Sequence, residues 1–147
     1  MRTIMAALLV AFTLSGCGLE DTTAPQNEVV YHGFLEFGTG FSGVTGEAAL
    51  AWVEGQDFYQ AAVLLVGEEP GTVRAWRLHF GTCQQDEGVV GVASEYPPLV
   101  AGADRNSFIR AVIPLQFDRN RRYHVRVHPS QQQLDRLMAC ANLTLQP

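Results

Sequence analysis

Apolar and polar positions alternate with a period of two along most of this chain, and no stretch holds a helical period. Val44–Trp52, Phe58–Val66, Val73–Phe80, Phe108–Leu115, Tyr123–Val127 and Cys140–Leu145 carry the alternation and are predicted strands, with Val29–Phe37 adding another. Turn-forming residues separate them at Gly38–Gly43, Glu54-Gly55-Gln56, Glu68-Glu69-Pro70-Gly71 and Asp118–Asn120. The pattern predicts an all-β fold, an antiparallel Greek-key sandwich or flattened barrel of about seven to eight strands. Two stretches break the rhythm. Gly81–Ser107 is rich in Gly and reads as a long loop, and the polar Pro129–Met138 reads as one short helical turn. Long loops in a compact β domain are usually functional or pinned.

The alternation also sorts the chemistry. In Val73–Phe80, Trp76, Leu78 and Phe80 point to the core, which sends Ala75, Arg77 and His79 to the other face. In the strand ending before Pro129, Tyr123, Val125 and Val127 are apolar, and His124, Arg126 and His128 share the opposite face. His79 and His128 therefore lie off the core beside irregular loops, where a site is expected. A lone histidine there is more often a hydrogen-bonding anchor than a ligand.

Ahead of the β segments, Met1 and Arg2 precede an apolar run from Ile4 to Leu14, followed by Ser15, Gly16 and Cys17. That order is a secretory signal peptide over residues 1–16, and its apolar run is too short to span a bilayer, which takes ~20 residues. Leu14-Ser15-Gly16-Cys17 resembles the lipobox of bacterial lipoproteins. The resemblance implies that Cys17 is acylated, that the membrane is held through its lipid, and that residues 17–27 form a tether for a domain over residues 28–147. Gly18, not aspartate, follows the cysteine, which by the same analogy implies an outer-membrane anchor facing the periplasm or the cell surface.

Cysteine arithmetic follows from export. Of three cysteines, Cys17 carries lipid, and the remaining two, Cys83 and Cys140, most simply pair as a disulfide. Charge is uneven. Cys17–Val73 holds nine acidic side chains and no basic one, whereas Arg74–Pro147 holds nine arginines and six acids. Arg119, Arg121, Arg122 and Arg126 cluster, either as a solvated hairpin tip or as an anion-attracting patch. Export and a net charge of -5 argue against nucleic-acid binding, and the sequence names no protein partner.

Pro70-Gly71, the run Arg74-Ala75-Trp76-Arg77-Leu78-His79-Phe80-Gly81-Thr82-Cys83, Tyr123–His128 and Ala139-Cys140-Ala141-Asn142-Leu143 resemble, in order, motifs of the copper/zinc superoxide dismutases. The likeness covers roughly Val44–Leu145, and the strand ending in Val-His is also similar to chordin-type domains. Carried over, it implies copper ligands at His79 and His128 but puts Arg77 where another ligand belongs. It finds no bridging histidine, because Gly81–Arg122 contains none. Tyr96-Pro97-Pro98-Leu99 stands where a zinc-binding aspartate would be, so zinc is not expected; copper remains the implied metal. Arg77 cannot deprotonate and puts a positive charge where a cation belongs. Leu137 occupies the position of the active-site arginine, with Arg136 one residue before it.

Other groups do not complete the set. His124 is four residues from His128, or ~13 Å along a strand, so the two cannot share one ion. His32 matches nothing in the likeness. Three functions follow. One is a non-catalytic superoxide dismutase-like lipoprotein with a structural or interaction role at the envelope. Another is a copper-binding or residual dismutase site at His79 and His128, with Arg126 and Arg136 attracting the anion. The third is a metal-free anion site at Arg77, Arg126, His79 and His128. No nucleophile–base pair, phosphate loop or carboxylate dyad stands out, and fold alone does not settle function.

Overall fold

The structure, a computed structural model, describes residues 28–53, 55–114 and 118–147. The predicted signal peptide, the lipid attachment predicted at Cys17 and the predicted tether lie outside the described residues. Ten strands run in the order β1 (Glu28–Phe34), β2 (Glu36–Phe37), β3 (Thr45–Val53), β4 (Tyr59–Val66), β5 (Val73–Gly81), β6 (Asp86–Val89), β7 (Leu99–Val100), β8 (Asn106–Ile113), β9 (Tyr123–His128) and β10 (Ala139–Leu145). Every pairing is antiparallel. Eight strands follow one path, β6-β5-β9-β10-β1-β3-β4-β8, while β2 pairs with β10 and β7 with β5.

The path curls until its two halves face each other. β4 and β8 are neighbours although β5, β6 and β7 intervene in the chain and belong to the opposite half, which is the Greek-key connection expected from the sequence. Inner faces follow the alternation. Tyr59, Ala61, Val63 and Leu65 of β4 are buried, and they share the core with Trp76 and Leu78 of β5 and Tyr123, Val125 and Val127 of β9. Tyr59 and Tyr123 join the halves directly, edge to face at 6.0 Å with hydroxyls 3.3 Å apart.

Three local features differ from the pattern reading. The predicted Val29–Phe37 strand is split at Leu35, whose N–H donates to the Gly46 carbonyl and frees β2 to cross onto β10. The long Gly81–Ser107 loop contains β6, a 3-10 turn at Ala93–Glu95 and β7. Pro129–Met138 forms no helix. It makes two successive turns, Gln133 N–H to the Ser130 carbonyl and Arg136 N–H to the Gln133 carbonyl, before the Met138 N–H reaches the Val127 carbonyl. A polar ten-residue run tied back to the strand beside it gains more from those anchors than from an isolated helical turn.

A buried carboxylate was not legible beforehand. Glu68 is 1% exposed, and Arg74 donates to both of its oxygens, Nε at 2.9 Å and Nη2 at 3.3 Å. Arg74 also donates through Nη1 to the Pro129 carbonyl, so one guanidinium ties the β4–β5 turn to the end of β9.

Candidate functional site

β5 and β9 pair so that Ala75 faces His128, Arg77 faces Arg126 and His79 faces His124. These three cross-strand pairs occupy the face away from Trp76, Leu78, Tyr123, Val125 and Val127. The sequence reading puts that face off the core, yet it is not open to solvent. Ala75, His79, His124 and His128 are all buried. The irregular segments fold back over it, because their backbone has polar groups to satisfy and this face offers donors and acceptors.

The first cover is the β5–β6 hairpin. Gly81 ends β5 at φ +89°, where a Cβ would stand 2.2 Å from the Gln85 carbonyl oxygen, so glycine is what permits the reversal. Thr82 and Gln85 then exchange backbone hydrogen bonds at 2.9 and 3.0 Å. Cys83, inside that turn, is disulfide-bonded to Cys140 of β10 with Cα atoms 5.9 Å apart, as the cysteine count predicts. Its N–H also donates to Asn142 Oδ1 at 2.8 Å. The bridge thus clamps the hairpin onto the sheet, and the hairpin delivers Asp86.

Asp86 is the residue that strand-by-strand reading missed. Its Oδ1 lies 2.8 Å from His79 Nδ1 and 4.0 Å from His124 Nε2, and its Oδ2 accepts from Arg126 Nη1. The two imidazole centroids are 5.2 Å apart. One donor atom from each of His79, Asp86 and His124 lies within 4.8 Å of those of the other two. A hint was present in Gly81 and Gly88, both at positive φ, which bracket the segment and mark a tight hairpin returning over His79.

Electrostatics favour neutral rings. Burial lowers the His79 pKa, with Asp86 opposing and Arg126 and Arg77 assisting. Burial lowers His124 to about 4, aided by His79. Burial lowers His128 too, against the pull of the Arg136 carbonyl. Burial pushes Asp86 upward, but the Gly88 N–H, His79 and Arg126 outweigh it and hold the carboxyl below its ordinary range. Among the described residues, His79 Nε2 and Arg126 Nε are buried without a hydrogen-bond partner, and the buried His124 ring has only the Gly81 backbone beside it.

The other predicted residues are placed as follows. His128, at the end of β9, sits opposite Ala75, four residues from the His124 position, and its Nδ1 is 2.8 Å from the Arg136 carbonyl. The backbones of His79 and His128 are therefore offset by ~13 Å along the strands. Arg136 contributes its backbone to His128, and its position leaves Leu137 42% exposed. Arg121 stacks 4.0 Å from the Phe80 centroid and reaches Glu87 at 3.5 Å, while Arg119 lies 5.4 Å over Trp52. Arg119, Arg121 and Arg126 of the cluster thus go to separate partners, Trp52, Phe80 with Glu87, and Asp86.

The copper set implied by the dismutase likeness does not fit these residues, since Arg77 stands at a ligand position and the backbones of the two implied histidines are offset by ~13 Å along the strands. The implied zinc position does not fit either. Tyr96 is buried there, packed edge to face on Trp76 at 5.1 Å and donating to the Val90 carbonyl, and the Pro97 carbonyl accepts from Trp76 Nε1 at 2.9 Å. That segment plugs the core. What fold and site define is a disulfide-clamped Greek-key β domain with a His–Asp–His cluster, its two rings buried and its carboxylate exposed. No family model matches the chain, and no curated protein matches it.

Proposed function

We propose that this chain is an exported, lipid-anchored β domain of the superoxide dismutase-like type that works without catalysis, in a structural or interaction role at the bacterial cell envelope. The pairing of Arg77 with Arg126 carries the reading. Arg77 offers no ligand atom where the likeness calls for a copper-binding histidine, so the implied redox set is incomplete there. The disulfide supports export, because such bridges persist in oxidising compartments. Cys17 supplies the anchor, with stable attachment coming from more than one acyl chain.

Two measurements test it. Protein purified from the membrane fraction is expected to dismutate superoxide no faster than matched free-copper controls; a metal-dependent rate well above them would restore the copper reading at His79 and His128. Cys17→Ser is expected to move the chain from the membrane to the soluble fraction and to abolish acyl labelling. A variant that still fractionates with membranes and carries acyl chains would refute the anchor.

A further inference from the structure

We propose that His79, His124 and Asp86 form a binding site for one divalent cation of the zinc type, formed where the β5–β6 hairpin closes over the β5–β9 register pair. Three observations carry it, and none depends on the dismutase likeness. One ligand atom from each residue falls within 4.8 Å of the others, a spread that small side-chain adjustments close onto an ion with bonds of ~2.0–2.2 Å. His79 is 6% exposed with Nε2 unpartnered, and His124 is 0% exposed with only the Gly81 backbone beside its ring. A buried imidazole left in that condition costs stability unless something binds it.

The donor chemistry narrows the ion. Two neutral imidazoles and one carboxylate suit borderline divalent metals, and calcium or magnesium would want oxygen alone. Access is from the Asp86 side, since that carboxylate is 30% exposed while the rings beneath it are covered. Three protein ligands leave a fourth position for water or an external donor. Arg126 already shares Asp86 through Oδ2, so the entering dication meets a neighbouring positive charge. The site is therefore built for moderate affinity. A redox-inactive ion here supplies no superoxide dismutation, so this inference and the proposed function fail independently, one by titration and the other by dismutation assay.

The experiment is a Zn²⁺ titration of the full-length protein in detergent, starting from chelator-treated material, followed by calorimetry and by long-range ¹⁵N–¹H spectra of the histidine rings. One equivalent is expected to bind, with the rings of His79 and His124 shifting and those of His32 and His128 staying in place. Asp86→Asn, at the more exposed edge, should weaken binding about tenfold or more, and His32→Gln should leave it unchanged. The ring spectra of the wild type decide the matter even if a His124 variant does not fold. No binding at millimolar Zn²⁺, shifts centred on His32 or His128, or full affinity in Asp86→Asn would overturn the assignment.

Discussion

Replacing both Cys83 and Cys140 by serine is expected to lower the unfolding free energy by about 4 kcal/mol, the value the chain-entropy model gives for so long a loop. The bridge spans 57 residues of sequence, from the β5–β6 turn to the start of β10. Without it the unfolded chain regains the freedom to separate those ends, and the hairpin is held by the Cys83 N–H to Asn142 contact, its pairing with β5 and the polar contacts of Asp86 and Glu87. Typical domains have about 5–15 kcal/mol in hand, so the reduced form should unfold at much lower denaturant. Equilibrium urea unfolding of the wild type, with and without reductant, and of the double variant provides the measurement. A loss under about 1 kcal/mol would mean that the bridge constrains little. A second consequence is local: amide exchange should accelerate first over Thr82–Val89, the hairpin that carries Asp86.

Arg74→Ala should cost about 3–5 kcal/mol, a loss comparable to that of the disulfide, because it strands Glu68 as an unpaired charge in the interior. The carboxylate side chain is fully buried, while Arg74 is 19% exposed and donates to both of its oxygens. The same guanidinium also lies 6.0 Å from the Phe41 ring and holds the Pro129 carbonyl, so its removal loosens two loops as well. Glu68→Gln with Arg74 intact should cost less, since it deletes one charge and leaves hydrogen-bonding groups in place. A double-mutant cycle of the two alanine variants isolates the coupling. If Arg74→Ala falls within experimental error of the wild type in thermal and urea unfolding, Glu68 must be solvated or neutralised some other way.

Both effects concern pieces that lie between strands, and that is where sequence and structure part company. The strands themselves were legible. Alternation over Phe58–Val66 placed Tyr59, Ala61, Val63 and Leu65 on one face, and all four are buried. The same rule set His79 and His124 off the core sides of their strands, and setting Cys17 aside for the predicted lipid left Cys83 and Cys140, which are paired. A period of two is a property of the backbone, so it survives whatever the rest of the chain does.

What the period cannot carry is register and cover. His124 was set aside because it lies too far from His128 along its own strand, a distance the sequence does determine. Its neighbour across the strand is His79, and that pairing depends on how β5 slides against β9, which the core packing of Trp76, Leu78, Tyr123 and Val125 decides. Nor does alternation say that the outer face is covered. The hairpin bearing Asp86 and the two turns after Pro129 bury it, held by two contacts between distant residues, the disulfide and the Cys83 N–H to Asn142, and by the nearer His128 to Arg136 bond. The sequence by itself determined the strands, their inner faces and the cysteine pair, because these follow from local backbone geometry and from elimination. The tertiary structure alone decided that two histidines and an aspartate meet under one loop, because that meeting is set by contacts between residues distant in the chain.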